Sequence, residues 1–475
     1  MLMSRVKASE APNTRALVPW IAYLIFFAVL NETMFNVSTP MIAAQFSLTP
    51  SGVSWMMTVF MVFFGVGSVT FGKLADIYSL RDLIRAGVGL YAAASVLGFA
   101  LRSTYPGVLA ARALQGAGGS AIPALVFVAI ARHFEESERG RIFGLITSVV
   151  SLAIGFGPVL GGFVASASDW AYLFLIPTPI LIALPFIARI LPRESRRSGG
   201  VDALGAALSA LVVGSLVAFL NFGSLAYLAA FAVLLALFIA RIRTAVDPFI
   251  KPSLFANVAF RESLVATFCL FAIVLGMIFL VPLMLSAVHG LAPSRIGLVL
   301  FPGAFSSIAA GPFAGRLVDR RGSGFVILAG LSLLAAGMAV LAFFLALSPY
   351  IVAFSMLLAY VGFAFFQTAM VSAISRTLSP EETGMGMGLF NLVGVLSGAI
   401  GTALVGRALG GKWLDFAFLP FAASPKSFAY SNIALVFAIL VMACAVAFFR
   451  PAKPIRASAI GEKLPDATCA EPSGC

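Results

Sequence analysis

Residues 17–43 read LVPWIAYLIFFAVLNETMFNVSTPMIA, a run with one charged residue, Glu32. Crossing about 30 Å of hydrocarbon takes roughly 20 apolar residues in an α-helix, so this segment is long enough to span a bilayer. Residues 53–71 and 203–220 are of the same kind. Spans of this type are expected near 17–43, 53–71, 83–101, 107–130, 141–165, 170–191, 203–220, 224–240, 262–287, 296–315, 324–347, 350–374, 384–410 and 430–449. The composition agrees: 61% of the 475 residues are hydrophobic and 11% charged, at a mean hydropathy of +1.04. Soluble domains carry about a quarter charged residues. Backbone amides in lipid must be satisfied within their own segment, which makes the chain an all-α polytopic membrane bundle with 14 transmembrane helices. The period-two alternation of a membrane barrel is absent.

The net charge of +12 does not point to nucleic acid, because the basic residues follow membrane topology. With the N-terminus inside, and span ends counted with the loops they adjoin, the inner segments hold 25 Lys and Arg and the outer loops 5, Arg407 among them, while Arg112 alone lies well inside a span. Both termini are thus expected in the cytoplasm. No cleavable signal peptide is expected, since the first apolar run is too long and no small-residue cleavage site follows it. The cysteines, Cys269, Cys444, Cys469 and Cys475, show neither metal nor disulfide spacing and are read as inert thiols.

The chain repeats itself. Gly72-Lys73-Leu74-Ala75-Asp76 follows the second span and Gly315-Arg316-Leu317-Val318-Asp319-Arg320-Arg321-Gly322 follows the tenth, with Asp319 placed 243 residues after Asp76. RHFEESERGRIFGL from Arg132 returns as RTLSPEETGMGMGL from Arg376, 244 residues on. Two six-helix units in parallel orientation are a known transporter plan. The surplus length fits a short inserted hairpin joined by Asn221-Phe222-Gly223-Ser224. The expected division is a cytoplasmic N-terminus (1–16), an N-terminal six-helix half (17–197), an inserted transmembrane helix pair with linkers (198–258), a C-terminal six-helix half (259–450) and a disordered cytoplasmic tail (451–475).

Among nineteen acidic residues only Glu32 lies well inside a span. Ionisable groups inside a membrane are costly and mark function by default. By helical rise, Glu32 and Arg112 differ by roughly 8 Å in depth, within reach of two long side chains on adjoining helices. A buried carboxylate can be held neutral by desolvation or charged by a guanidinium nearby, so the pair could exchange a proton against a cationic substrate. Gly72 and Asp76 close one helix, and their recurrence as Gly315 and Asp319 suits breakable contacts at an inward gate. In helix 5, the run Gly155-Phe156-Gly157-Pro158-Val159-Leu160-Gly161-Gly162 combines a helix-bending proline with glycines that allow close packing. No phosphate-binding loop and no nucleophile–base set appears, so neither an ATP-driven pump nor an enzyme is expected. A sensor on this scaffold would need a soluble domain for which the loops leave little room.

The Gly72–Asp76 motif, Arg112-Ala113-Leu114-Gln115-Gly116 and Gly157-Pro158 with Gly161-Gly162 resemble motifs of the major facilitator superfamily, in its fourteen-helix drug:proton antiporter branch. Val29-Leu30-Asn31-Glu32, Asn36-Val37-Ser38, Phe143-Gly144-Leu145-Ile146, Asp247-Pro248-Phe249, Leu317-Val318-Asp319-Arg320 and Tyr430-Ser431-Asn432 are similar, in order, to segments of Gram-positive tetracycline efflux proteins. The resemblance covers roughly residues 17 to 450. It implies proton-driven export of a monovalent metal–tetracycline chelate across a bacterial plasma membrane. It implies no resident cofactor or metal: a divalent ion travels with the substrate, and the functional unit is a monomer. By matched position it assigns proton coupling and substrate contact to Glu32, Arg112, Asn36 and Gln115. Gating falls to Gly72, Asp76, Arg81, Gly315, Asp319, Arg320 and Gly322, and the antiporter motif to Gly157, Pro158, Gly161 and Gly162. The family's loop aspartates fall at Asp76, Asp202 and Asp319.

Some family positions differ. The helix 13 glutamate of the family falls at Gly398 and an aspartate of helix 1 at Met41. Ile77, Ser79 and Leu80 replace the usual residues of the first loop motif. Fewer countercharges for a chelate leave export of an endogenous metabolite, such as a siderophore or self-made antibiotic, or broad multidrug efflux, as alternatives.

Overall fold

The structure is a computed structural model that describes residues 14–192, 202–245, 248–250, 252–378, 380–411, 414–419 and 424–449. The expected tail and most of the expected N-terminal segment lie outside the described residues. In chain order the helices are α1 (Thr14–Gln45), α2 (Pro50–Ile77), α3 (Leu80–Ala100), α4 (Tyr105–His133), α5 (Glu136–Ala167), α6 (Ala183–Ile190), α7 (Ala203–Phe222), α8 (Leu225–Thr244), α9 (Val258–His289), α10 (Pro293–Arg321), α11 (Ser323–Phe344), α12 (Pro349–Thr377), α13 (Pro380–Gly411) and α14 (Pro425–Phe449). Among the described residues there is no strand. Fourteen segments among the described residues are long and apolar enough to cross a membrane, the sixth running from Trp170 to Ile190.

The sixth span departs from the single helix expected over 170–191. It is built from two 3₁₀ turns, Trp170–Phe174 and Thr178–Ile182, leading into α6. Pro177, Pro179 and Pro185 remove three amide donors within nine residues, and an α-helix cannot run unbroken through that deficit. Elsewhere proline either opens helices, as in α2, α4, α10 and α12, where its missing N–H costs no intrahelical bond, or lies inside a long helix singly or widely spaced, as at Pro123, Pro158 and Pro282.

Because the spans alternate, α1 starts and α14 ends on one side of the bundle, here the terminal face; the other is the far face. Packing in the first six spans recurs in the last six. Helix α1 lies on α5 as α9 lies on α13, α2 on α4 as α10 on α12, and α3 on α4 as α11 on α12. Two seams join the sets: α5 against α10, and α2 against α13. Each of these four helices carries part of a repeated motif. One apolar cluster crosses the seams, from Met34, Met56 and Met57 to Leu280, Met356 and Leu392. A second lies within the first six spans, around Leu24, Tyr91, Leu125 and Ile187.

The inserted pair sits against one seam only. Helix α7 contacts both α2 and α13, with Val217 packed on Ile400 and Ala403. Helix α8 packs on α7 and has no buried residue. Arg407, counted with the outer loops at the end of the expected 384–410 span, occupies the last turns of α13. Helix α13 is 32 residues long, more than the roughly 20 that a span needs, so its last turns, Arg407 included, stand at the far face.

Candidate functional site

Arg112 is the largest fully buried side chain among the described residues, at 0% exposure. Its Nη1 donates to Asn31 Oδ1 and to Gln115 Oε1, each at 3.1 Å. The guanidinium lies between two rings, its carbon 4.4 Å from the centre of Phe35 and 4.1 Å from that of Phe60. Asn31 Nδ2 donates to the Tyr91 hydroxyl at 2.6 Å, and Gln115 Nε2 to Ser95 Oγ at 2.8 Å. Ser95 donates in turn to the Tyr91 carbonyl oxygen at 2.9 Å. The network thus ties α1, α3 and α4 together. Arg112 Nε and Nη2 have no hydrogen-bond partner. Aromatic faces offset part of the cost of burying a guanidinium, and the amide oxygens offset more.

Glu32 is half-buried and lies within electrostatic range of Arg112. The direct pair expected from their depths does not form, because the guanidinium is taken by Asn31 and Gln115. Successive residues on a helix point about 100° apart. With Asn31 facing Tyr91 and Arg112 and the Thr33 hydroxyl directed at the Ala153 carbonyl oxygen on α5, Glu32 falls between the two directions. Asn36, buried at 8% exposure, shares its face one turn on. Among the described residues no group donates a hydrogen bond to the Glu32 carboxylate.

The glycines of α5 are contact points on both sides. A Cβ at Gly157 would collide with the Thr33 side chain, and one at Gly161 with the Met34 carbonyl oxygen, both on α1. On the other side, a Cβ at Gly162 would strike the Pro293 carbonyl oxygen of α10, and one at Gly297 would strike that of Pro158. The motif therefore seats α5 between α1 and α10 with backbones in contact, and α5 continues through Pro158 as one helix. These contacts lie toward the far face. At the terminal face, a Cβ at Gly72, Gly311 or Gly315 would meet nothing within 4 Å among the described residues. Asp319 and Arg320 are exposed there, and Gly322 ends α10 at a φ of 81°. Arg81 Nε is buried without a partner. The Asp76 side chain lies outside the described residues.

Asp202 caps α7 and organises the terminal end of the inserted pair. It accepts from the Gly205 N–H at 3.0 Å, Arg241 Nε at 2.9 Å and the Phe249 N–H at 3.2 Å. Burial would push its carboxyl up, but these donors and the Arg241 charge outweigh it and hold the carboxyl below its ordinary range. Lys73 of α2 reaches the same place, donating to the Pro248 carbonyl oxygen at 2.5 Å. At Gly398, a Cβ would run into the tip of Leu275 on α9, so apolar packing fills the position where the resemblance places a carboxylate. Cys269 and Cys444, far apart in sequence, are thiol neighbours on α9 and α14. Cys469 and Cys475 lie outside the described residues.

Sequence reasoning missed Asn31, Tyr91 and Ser95, which sit in apolar runs as ordinary polar interruptions. The one available signal was that Asn31 precedes the single mid-span carboxylate.

Known proteins bear on this geometry. The chain is 27% identical over 394 residues to multidrug resistance protein Stp of Mycobacterium tuberculosis, covering 80% of this chain and 73% of that one. It is 25% identical over 397 residues to riboflavin transporter RibZ of Clostridioides difficile, covering 81% and 87%. Similar solved folds include the human organic anion transporter MFSD10, with a TM-score of 0.63 at 15% identity over 92% of this chain and 100% of that one. Tetrameric PepTSo2 has a TM-score of 0.65 at 14% identity, covering 92% and 97%. The family profile described as Major Facilitator Superfamily matches residues 21–402. With a profile match that runs from α1 into α13 and a bundle joined by two inter-set seams, the chain is a membrane transporter and belongs to the Major Facilitator Superfamily.

Proposed function

We propose that the protein is a proton-coupled antiporter that exports an amphipathic drug, working by alternating access of two six-helix halves. The observation that carries this reading is the placement of Glu32: a half-buried carboxylate beside a buried guanidinium whose direct partners are neutral amides. A carboxylate free of a direct ion pair can take up a proton or a cation in turn, and the arginine charge tunes which state prevails. The seating of α5 against both α1 and α10 links that region to the seam that must move. The efflux-type relative supports the direction of transport. Basic residues cluster on the terminal face, which we assign to the cytoplasm.

Tetracycline as a metal chelate is the first substrate to test. The second reading, an endogenous metabolite or a broader set of drugs, is favoured by one observation: Leu275 fills the space at Gly398, leaving Glu32 without a helix 13 partner carboxylate. Uptake of labelled tetracycline into inside-out vesicles, with and without divalent metal and with the proton gradient imposed or collapsed, separates the two. Gradient-driven, metal-dependent uptake establishes the chelate. Its absence with correctly inserted protein refutes tetracycline, and gradient-driven uptake of another amphipathic compound then identifies the alternative.

A further inference from the structure

Asn221, at the end of α7, is held from both sides of the α2/α13 seam. Ser51 at the start of α2 donates its hydroxyl to Asn221 Oδ1 at 2.6 Å. Arg407 on α13 donates Nη1 to the Asn221 carbonyl oxygen at 2.8 Å. That oxygen lies in the last turn of a helix, where carbonyls lack intrahelical partners and accept readily. Asn221 Nδ2 donates back to the Val217 carbonyl oxygen at 3.1 Å, which fixes the side chain. The turn that follows allows the arginine to lie flat: Gly223 has a φ of 68°, and a Cβ there would stand 2.8 Å from Arg407 Nη2. Trp55 of α2 stacks on Phe222, ring centres 5.9 Å apart. A cavity of about 550 Å³, lined among others by Trp55, Tyr105, Phe222 and Arg407, opens beside this junction at the far face.

The inserted pair is tied to α2 at both ends, by Ser51 at the far face and by Lys73 bonded to Pro248 at the terminal face. Its remaining contacts with α13, such as Val217 on Ile400 and Ala403, are apolar and non-directional and can slide. The charge-assisted bond from Arg407 is directional and cannot.

We propose that Arg407 is a far-face latch, a positioning residue for transport that fastens the second half to an inserted helix pair riding with the first. Opening toward the far face then requires the Arg407–Asn221 bond to break, whereas opening toward the terminal face leaves it intact. The open space at Gly72, Gly311 and Gly315 on the terminal face matches the latched arrangement. The inserted pair thereby acquires a role: it sets how readily the far face opens. This inference rests on the alternating-access reading given above.

The test is the distance between spin labels at Ser103→Cys and Ala292→Cys, exposed far-face turns in different halves. The full chain is used with its four cysteines replaced by serine, in lipid nanodiscs at acidic and alkaline pH. Losing the charge-assisted hydrogen bond to Asn221 is expected to raise the open-to-closed ratio at least about tenfold in Arg407→Ala. Arg407→Lys, which can still donate to a carbonyl, should fall between it and the parent. A parent distribution that shifts with pH, beside an Arg407→Ala distribution identical to it, overturns the latch and leaves alternating access standing. A single distance in every variant at every pH overturns alternating access and the latch with it. Should Arg407→Ala fail to fold, Ser51→Ala with Arg407→Lys carries the comparison: no rise in the open population in the pair refutes the latch.

Discussion

Arg112 donates to Asn31 at 3.1 Å, and the residue that follows Asn31 is the mid-span carboxylate. The guanidinium is thus anchored one residue away from the group it influences. On the proposed reading, a proton or substrate reaches Glu32 without first displacing an arginine, while the Arg112 charge stays fixed nearby. A direct ion pair would require each cycle to break a desolvated salt bridge, which costs several kcal/mol.

Glu32→Gln is expected to abolish gradient-driven uptake in inside-out vesicles while leaving the protein in the membrane at parental levels. Glutamine keeps the shape and cannot take up a proton. Parental coupling in the neutral variant would remove the proton role from Glu32.

Arg112→Ala should cost far more than Arg102→Ala. Removing Arg112 leaves the Asn31 and Gln115 amide oxygens buried without their donor, at roughly 1–3 kcal/mol each, and empties the space between Phe35 and Phe60. Arg102 is exposed and bonds only its own turn, at the Phe99 carbonyl oxygen. Detergent melting curves and vesicle uptake check this together. Equal effects of the two substitutions count against the buried network.

Gly162→Val should impair transport at least tenfold without preventing membrane insertion. The added side chain meets the backbone of Pro293, which cannot give way as a side-chain tip would, so α5 and α10 are forced apart at the far face. Gly311→Val, where the space is open, serves as the matched control. Comparable losses in both would show that the effect is not seam contact.

Asp202 gives a pH dependence with a definite sign. Its folded carboxyl is held below its ordinary range, so its stabilisation is present above about pH 3.9, the unperturbed aspartate value. It is lost as pH falls through the depressed folded value. The melting-temperature gap between parent and Asp202→Asn should therefore be constant through neutral pH and close only in acid. A gap that closes near neutrality would show that another group is responsible.

The span count was legible because lipid imposes length and apolarity on each segment separately, as residues 17–43 illustrate. The sixth span was not, since Pro177, Pro179 and Pro185 alter backbone bonding without lowering hydropathy. Glu32 and Arg112 stood out as charges in hydrocarbon. Their true relationship did not, because it depends on which way α1 is turned, and hydropathy carries no azimuth. The α5 glycines were legible as packing residues, but their partners on α1 and α10 emerge only when three helices are assembled. Arg407 was legible at the outer end of the thirteenth span, but its bond to Asn221 was not, because it depends on how α7 and α13 pack.

Helix α8 packs mainly on α7, is bonded to its cap through Arg241, and buries none of its residues. Its circumference is therefore surrendered to acyl chains over most of its 20 residues. Hydrophobic mismatch acts on such a helix directly, by tilt, at a fraction of a kcal/mol per ångström. If the short turn at Gly223 carries tilt of α8 into Asn221, membrane thickness becomes a mechanical input to the junction there. Transport rates measured in bilayers of short and long acyl chains should diverge in the parent and converge once Arg407 is replaced by alanine.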